Sequence, residues 1–128
     1  GHDRLILITD SMRAAGMGDG HYQLGGYDVT VADGKATLAS DSTLAGSIVT
    51  MNRAVYNFMQ ATGEPLENIW QTTSLNPARA VHLAHCKGSI EVGKDADLVL
   101  VDAQTIDVKL TVVAGSIVYD ATTERTNS

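Results

Sequence analysis

The chain has 128 residues, 44% of them hydrophobic, and nine Lys plus Arg stand against fifteen Asp plus Glu for a net charge of −6 with His neutral. That length and apolar content suit one globular domain of common size with a real core, and an acidic balance without a basic cluster argues against nucleic acid as a partner. No apolar run approaches the ~18 residues of a membrane span, and the amino end lacks the charged-then-apolar layout of a secretory signal, so no membrane is expected.

The first element is announced by LILITDSM, residues 5–12. Four consecutive aliphatic residues, Leu5 to Ile8, do not alternate with polar ones, which predicts a strand packed on both faces; Thr9 and Asp10 follow at once. The glycine-rich RAAGMGDG lacks the strand-to-helix context of a phosphate cradle and is expected to be a flexible loop. His21 to Leu24 forms a short strand with Gly25-Gly26 as a bend. YDVTVADGKATLA then predicts a hairpin. Val29 and Val31 share a face, Ala36 and Leu38 share a face, and Asp33-Gly34 supplies a type I′ turn in which both residues need positive φ.

SIVTMNRAVYNFMQATG places Ile48, Met51, Val55, Phe58 and Met59 at helical spacing, with Ser47 as N-cap and Gly63 just past the end. A second helix starts at Pro65 with Leu66, Ile69 and Trp70 facing inward, and a third at Asn76-Pro77, closing near Lys87-Gly88. Beyond Gly88 strands are expected: SIEV, ADLVLVD, then KLTVV and SIVYD joined by Ala114-Gly115. DLVLVD is apolar on both faces. The tail ATTERTNS is polar and expected to fray.

Several side chains have a chemical and a plain reading. An Asp after a strand, such as Asp10, often caps the next turn. His82 and His85, three apart on a helix, are close enough to share a metal, but no third ligand accompanies them, which favours a solvated pair. His21 follows a turn and is expected to be exposed. Asp95 and Asp97, between a glycine and an apolar strand, are turn residues rather than a metal pair. Met51 and Met59 fill the core. Cys86, the single cysteine, excludes an internal disulfide, has no activating group nearby, and fits a reducing compartment, with cytoplasm as the expected location. Gly1 in place of Met, with an element beginning almost at once, is read as the start of a piece of something longer; Gly1 and His2 are either native or a tag remnant.

LITDSMRAAGMGDGHYQLGG, DSTLAGSIVTMNRAV, SLNPARAVHL and KGSIEVGKDADLVLVD occur in this order from about residue 5 to about residue 120. Together they resemble the carboxy-terminal third of N-acetylglucosamine-6-phosphate deacetylases of the amidohydrolase superfamily. GKDADLVLVD and the Asn-Pro-Ala segment point only to the superfamily, whereas ITDSM with STLAGS points to the deacetylase. The resemblance implies an α/β fold: over 1–87 the end of a (β/α)8 TIM-type barrel with its last strand, a hairpin and three helices, and over 88–128 strands of the small β-sandwich that accompanies such barrels. Barrels of this kind carry catalytic groups at the C-terminal ends of strands. LILIT is then the eighth strand and Asp10 the catalytic residue at its end.

In that chemistry a divalent metal, zinc or iron, lowers the pKa of its bound water, and Asp10 near the metal takes the water's proton during attack on the amide and later gives it to the departing amine. Ala45, Gly46 and Ser47, with Leu44 beside them, are the implied substrate-binding residues. Gly46 admits close backbone approach, and a helix starting near Ser47 offers unsatisfied N–H groups. The family's metal ligands, a glutamate and two histidines, and its phosphate-gripping residues come from upstream segments with no counterpart in this sequence. No metal is therefore expected to be held by this chain alone, and the chain alone is expected to be inactive. The implied substrate is a small-molecule amino-sugar phosphate, N-acetylglucosamine 6-phosphate, giving glucosamine 6-phosphate and acetate. Two other readings stay open: a dihydroorotase-like or deaminase-like amidohydrolase, and a non-catalytic assembly or binding module whose strand edges invite pairing into a homo-oligomer.

Overall fold

The computed structural model describes residues 1–124 and shows a mixed α/β chain in which the strands form two antiparallel sheets. It divides into two compact units, residues 8–54 and residues 1–7 together with those from 55 onward. Among the described residues no helix is long and apolar enough to cross a membrane.

In the 8–54 unit, β1 (Gly20–Leu24), β2 (Tyr27–Ala32), β3 (Lys35–Leu38) and β4 (Leu44–Gly46) lie side by side in chain order. The expected hairpin forms in its expected register. Ala32 pairs with Lys35, and Asp33 and Gly34 between them have φ of 51° and 73°, the mirror-image turn that matches strand twist. Period-two alternation turns Val29 and Val31 to one side, where they are buried with Ala36 and with Ala14 of the glycine-rich loop. Burying a side chain of valine's size contributes about 1.5–3 kcal/mol. That loop is pinned rather than free. Ala14 anchors its start, and the Tyr22 hydroxyl donates to the carbonyls of Met17 and Gly18, each at 3.0 Å.

Helix α1 (Met51–Thr62) begins three residues later than its apolar spacing predicts. Leu44–Gly46 is drawn into the sheet as β4, Ile48 packs on the sheet core, and the Ser47 hydroxyl accepts from the nearby Val49 N–H instead of capping a helix. Met51 is consequently exposed rather than core filler. The helix ends as expected: Gly63 has φ of 72° and its N–H reaches the Met59 carbonyl at 2.8 Å.

In the other unit, Val55 packs with Ile69 and Ile106, flanked by Leu7, Phe58, Met59 and Leu66. Helix α2 (Leu66–Ile69) follows Pro65, which sits at the cap position, and passes into a 3-10 turn, Trp70–Thr72, that leaves Trp70 at the surface instead of facing inward. Helix α3 (Leu75–Ala80) takes Asn76 inside it, not as its cap, and stops well short of Lys87 because His82 adopts a φ of 62°.

The terminal strands are β5 (Leu98–Val101), β6 (Val108–Val113) and β7 (Ser116–Asp120), joined in order. Ala114 and Gly115, at φ of 49° and 79°, make the predicted turn. SIEV forms no strand; it has no ladder partner among the described residues, and Ile90 and Val92 are exposed. Ile106 reaches the core at a cost of about 1–2 kcal/mol for a β-branched residue at φ of 58°. Asp102 holds that loop by accepting from the N–H groups of Gln104 and Thr105, both at 2.9 Å. The tail starts as helix α4 (Ala121–Glu124), capped by the Asp120 carboxylate, which accepts from the Thr122 N–H and hydroxyl. The rest of the tail lies outside the described residues.

The opening apolar run departs furthest from expectation. Leu5 to Thr9 joins no sheet among the described residues; Leu7 reaches the helical core, while Leu5, Ile6 and Ile8 are exposed. Such a run states that both faces need cover, and the described residues supply cover at Leu7 alone.

Candidate functional site

Asp10 follows the aliphatic run with φ of 48°, the left-handed region that Asp tolerates better than most side chains, and its side chain is exposed. The bend lets the next residues run alongside the segment after β4. Ser11 pairs with Ser47 in a parallel bridge, and the Met12 N–H donates to the Ser47 carbonyl at 2.8 Å. The Ser11 hydroxyl donates to the Val49 carbonyl at 2.5 Å. The two segments that carry candidate residues are thus joined by main-chain and side-chain hydrogen bonds.

Gly46 lies close under Met12: a Cβ there would stand 3.3 Å from both Cβ and Sδ of Met12, which would have to give by a few tenths of an ångström. Its missing side chain makes room for a protein neighbour. Ala45 packs against the sheet core, Leu44 is 73% exposed, and Ser47 is half-buried. The N–H groups of 47–49 are not a helix terminus open to a ligand, since α1 starts at Met51 and the Ser47 hydroxyl takes the Val49 N–H at 3.2 Å. An open hollow of about 350 Å³ lined by Gly26, Tyr27, Asp28, Ala39 and Ser40 contains none of the candidate residues.

The remaining candidates resolve as follows. His82 and His85 are exposed and lie beyond the end of α3, so helical spacing does not bring them together. His21 is exposed on β1 with Nδ1 3.2 Å from the Thr30 hydroxyl. Asp95 and Asp97 serve the turn: Lys87 Nζ donates to them at 2.8 and 2.5 Å, and the Ala114 N–H donates to Asp97 at 2.8 Å. Among the described residues no group of three His, Cys, Asp or Glu side chains could hold a metal ion, so the residues present do not fit a resident divalent ion. Sequence reasoning missed Ser11 and Met12. Only the strand-compatible STLAGSIV stretch hinted that Ser47 would be paired as a strand residue is.

A family model described as "Amidohydrolase family" matches residues 29–118. The chain belongs to the amidohydrolase family. It is 46% identical over 119 residues to an N-acetylglucosamine-6-phosphate deacetylase of Bacillus subtilis and 42% identical over 120 residues to that of Vibrio furnissii, covering 93% and 94% of this chain. The chain spans about 30% of the length of these curated relatives. Its fold matches the crystal structure of the Thermotoga maritima deacetylase with a TM-score of 0.82 at 37% identity, covering 94% of this chain and 32% of that one. A Mycobacterium smegmatis deacetylase, solved as an aspartate-to-alanine mutant in complex with N-acetyl-D-glucosamine-6-phosphate, matches with a TM-score of 0.78 at 36% identity, over 91% of this chain and 31% of that one. Deacetylases of the family are generally metal-dependent.

Proposed function

We propose that this chain is the carboxy-terminal portion of an N-acetylglucosamine-6-phosphate deacetylase, with residues 1–87 completing a (β/α)8 barrel and 88–128 contributing to the accompanying β-sandwich. The observation that carries the reading is that relatives of this name match nearly the whole chain, including the 46% identical one. Asp10 is the acid–base residue. It takes a proton from the attacking water as the C–O bond to the acetyl carbon forms, and gives it to the sugar nitrogen as the C–N bond breaks, leaving acetate and glucosamine 6-phosphate. An exposed carboxylate fixed by a left-handed bend, with Ser11 and Met12 hydrogen-bonded onto the segment of Ala45, Gly46 and Ser47, supports a shared role for these residues at the substrate. In this reading Leu44 offers its exposed side chain to the sugar, and zinc or iron is held by residues outside these 128.

The test is Asp10→Asn in the whole protein that carries this chain, following acetate release from N-acetylglucosamine 6-phosphate. Turnover falls by about 10²–10⁴-fold with the fold unchanged, the usual contribution of a positioned acid–base group. Undiminished turnover removes the role from Asp10; absence of turnover in the unsubstituted protein removes the deacetylase reading.

A further inference from the structure

Asp10 has φ of 48° and an exposed side chain, and among the described residues no donor meets its carboxylate, so the bend of the backbone sets where that carboxylate stands. A left-handed conformation is disfavoured for a residue with a side chain and persists where its surroundings hold it. Both neighbours of Asp10 do so, and every group concerned lies in the 8–54 unit. The Thr9 hydroxyl oxygen accepts from the Ser11 N–H at 3.3 Å, a bond that spans Asp10 and closes the bend on itself. The Ser11 hydroxyl donates to the Val49 carbonyl at 2.5 Å, 38 positions away, and ties the bend to the segment after β4. The parallel bridge of Ser11 to Ser47 and the Met12 N–H on the Ser47 carbonyl at 2.8 Å run beside it. Of these contacts only the two hydroxyl ones depend on side-chain identity; the others are main chain.

We propose that Ser11 is a positioning residue for the acid–base group: its hydroxyl anchors the bend at Asp10 to Val49 and so holds the Asp10 carboxylate in place, with Thr9 as a weaker second anchor. The inference rests on the acid–base role of Asp10. Proton transfer needs donor and acceptor within hydrogen-bond reach, so a carboxylate on a loosened bend is less often in the productive geometry. A hydroxyl suits the task because it donates to a carbonyl without bringing charge beside the working carboxylate. Alanine at position 11 keeps the main-chain bridge but leaves the bend tied to this segment by backbone alone. Threonine keeps the donor, and its extra methyl falls at an exposed, bridge-paired position that suits a β-branched residue.

The experiment places Ser11→Ala, Ser11→Thr and Thr9→Val in the whole deacetylase that carries this chain, and Ser11→Ala also in an Asp10→Asn background. Acetate release from N-acetylglucosamine 6-phosphate gives kcat and KM. For Ser11→Ala we expect kcat to fall about tenfold with KM within about twofold, since displacing a proton-transfer group is felt in the transition state more than in substrate binding. Ser11→Thr recovers most of that loss, and Thr9→Val shows a smaller loss of the same kind. In the Asp10→Asn background Ser11→Ala lowers turnover no further, because the hydroxyl acts only through Asp10. Unchanged kcat in Ser11→Ala overturns the proposal, as does a loss that Ser11→Thr does not recover, or a further loss in the Asp10→Asn background. Amide exchange at Val31 stays unchanged in Ser11→Ala; quickened exchange there marks general loosening of the sheet and overturns the proposal as well. Should Ser11→Ala not fold, Thr9→Val keeps the shape of its side chain and decides by the same readouts, unchanged kcat again overturning the proposal. Undiminished turnover in Asp10→Asn fails the acid–base reading itself, whereas a large loss in Asp10→Asn beside none in Ser11→Ala fails only the inference about Ser11.

Discussion

In the four-stranded sheet Val29, Val31 and Ala36 are buried, whereas in the three-stranded sheet Val99, Leu100, Ile117 and Val118 are each 58–63% exposed. Both sheets are antiparallel meanders and each contains a two-residue turn at positive φ, Asp33-Gly34 in one and Ala114-Gly115 in the other, so the difference does not come from the chemistry of these turns. It comes from cover. The first sheet has Met12, Ala14 and Ile48 laid over its apolar side by segments at either end of its unit. The second is tied at its ends by carboxylates: Asp97 accepts from the Ala114 N–H, Asp102 from Gln104 and Thr105, and Asp120 from Thr122. A strand pattern states what a surface needs, and the neighbours decide whether it is met.

The widest separation of the two sheets is expected from truncating one valine in each. Val29→Ala removes buried methyl groups and lowers the unfolding free energy by about 2 kcal/mol, while Val99→Ala changes it by no more than about 0.5 kcal/mol. Urea titration of both variants measures the contrast, and equal losses would abolish it. A smaller effect tests what the sheets share. Gly34 and Gly115 have φ of 73° and 79°, and a Cβ at either meets nothing within 4 Å. Gly34→Ala and Gly115→Ala should each cost about 1–2 kcal/mol from backbone strain alone, despite the different burial of their sheets. A clear inequality would show that cover reaches into the turns.

The legible parts of the fold were those set by neighbours in sequence. Asp33-Gly34, Ala114-Gly115 and Gly63 were readable because the turn or helix end they specify is decided within a few residues. Leu5–Ile8 and DLVLVD were read as doubly covered strands, and here the residues that would do the covering are not found among those described. Ser47 and Asn76 misled for a different reason. Both are good capping types by local chemistry, but a parallel bridge to Ser11 claims the first and two carbonyls more than 70 positions away claim the second. Of the candidate site, the resemblance supplied Asp10 and the Leu44–Ser47 segment; their connection through Ser11 and Met12 carries no local signal and needed the folded chain.

Acid provides the finest discrimination between the two regions. Asp97 is held below the usual carboxylate range by the Lys87 ammonium and then by the Ala114 N–H, Asp102 by the N–H groups of Thr105 and Gln104, and Asp120 by the hydroxyl and N–H of Thr122. In the four-stranded unit Asp41 is lowered in the same way by Thr43. A carboxylate whose folded pKa is depressed adds stability above its unfolded value of about 3.9 and loses it as pH falls through the folded value. Lys87 is raised by its bonds to Asp95 and Asp97, so its contribution is complete below about 10.4 and fades only as pH climbs through the folded value. Between about pH 5 and pH 2, amide protection should therefore fall further in β5–β7 than in β1–β4, by a modest amount because the groups are solvated and screened. Asp97→Asn isolates one of them: the introduced amide oxygen still accepts from Ala114 but offers Lys87 no charge. Protection at Ala114 should persist at neutral pH and lose much of its dependence on acid, and an unaltered acid response would show that a carboxylate other than Asp97 sets the acid sensitivity of this end of the sheet.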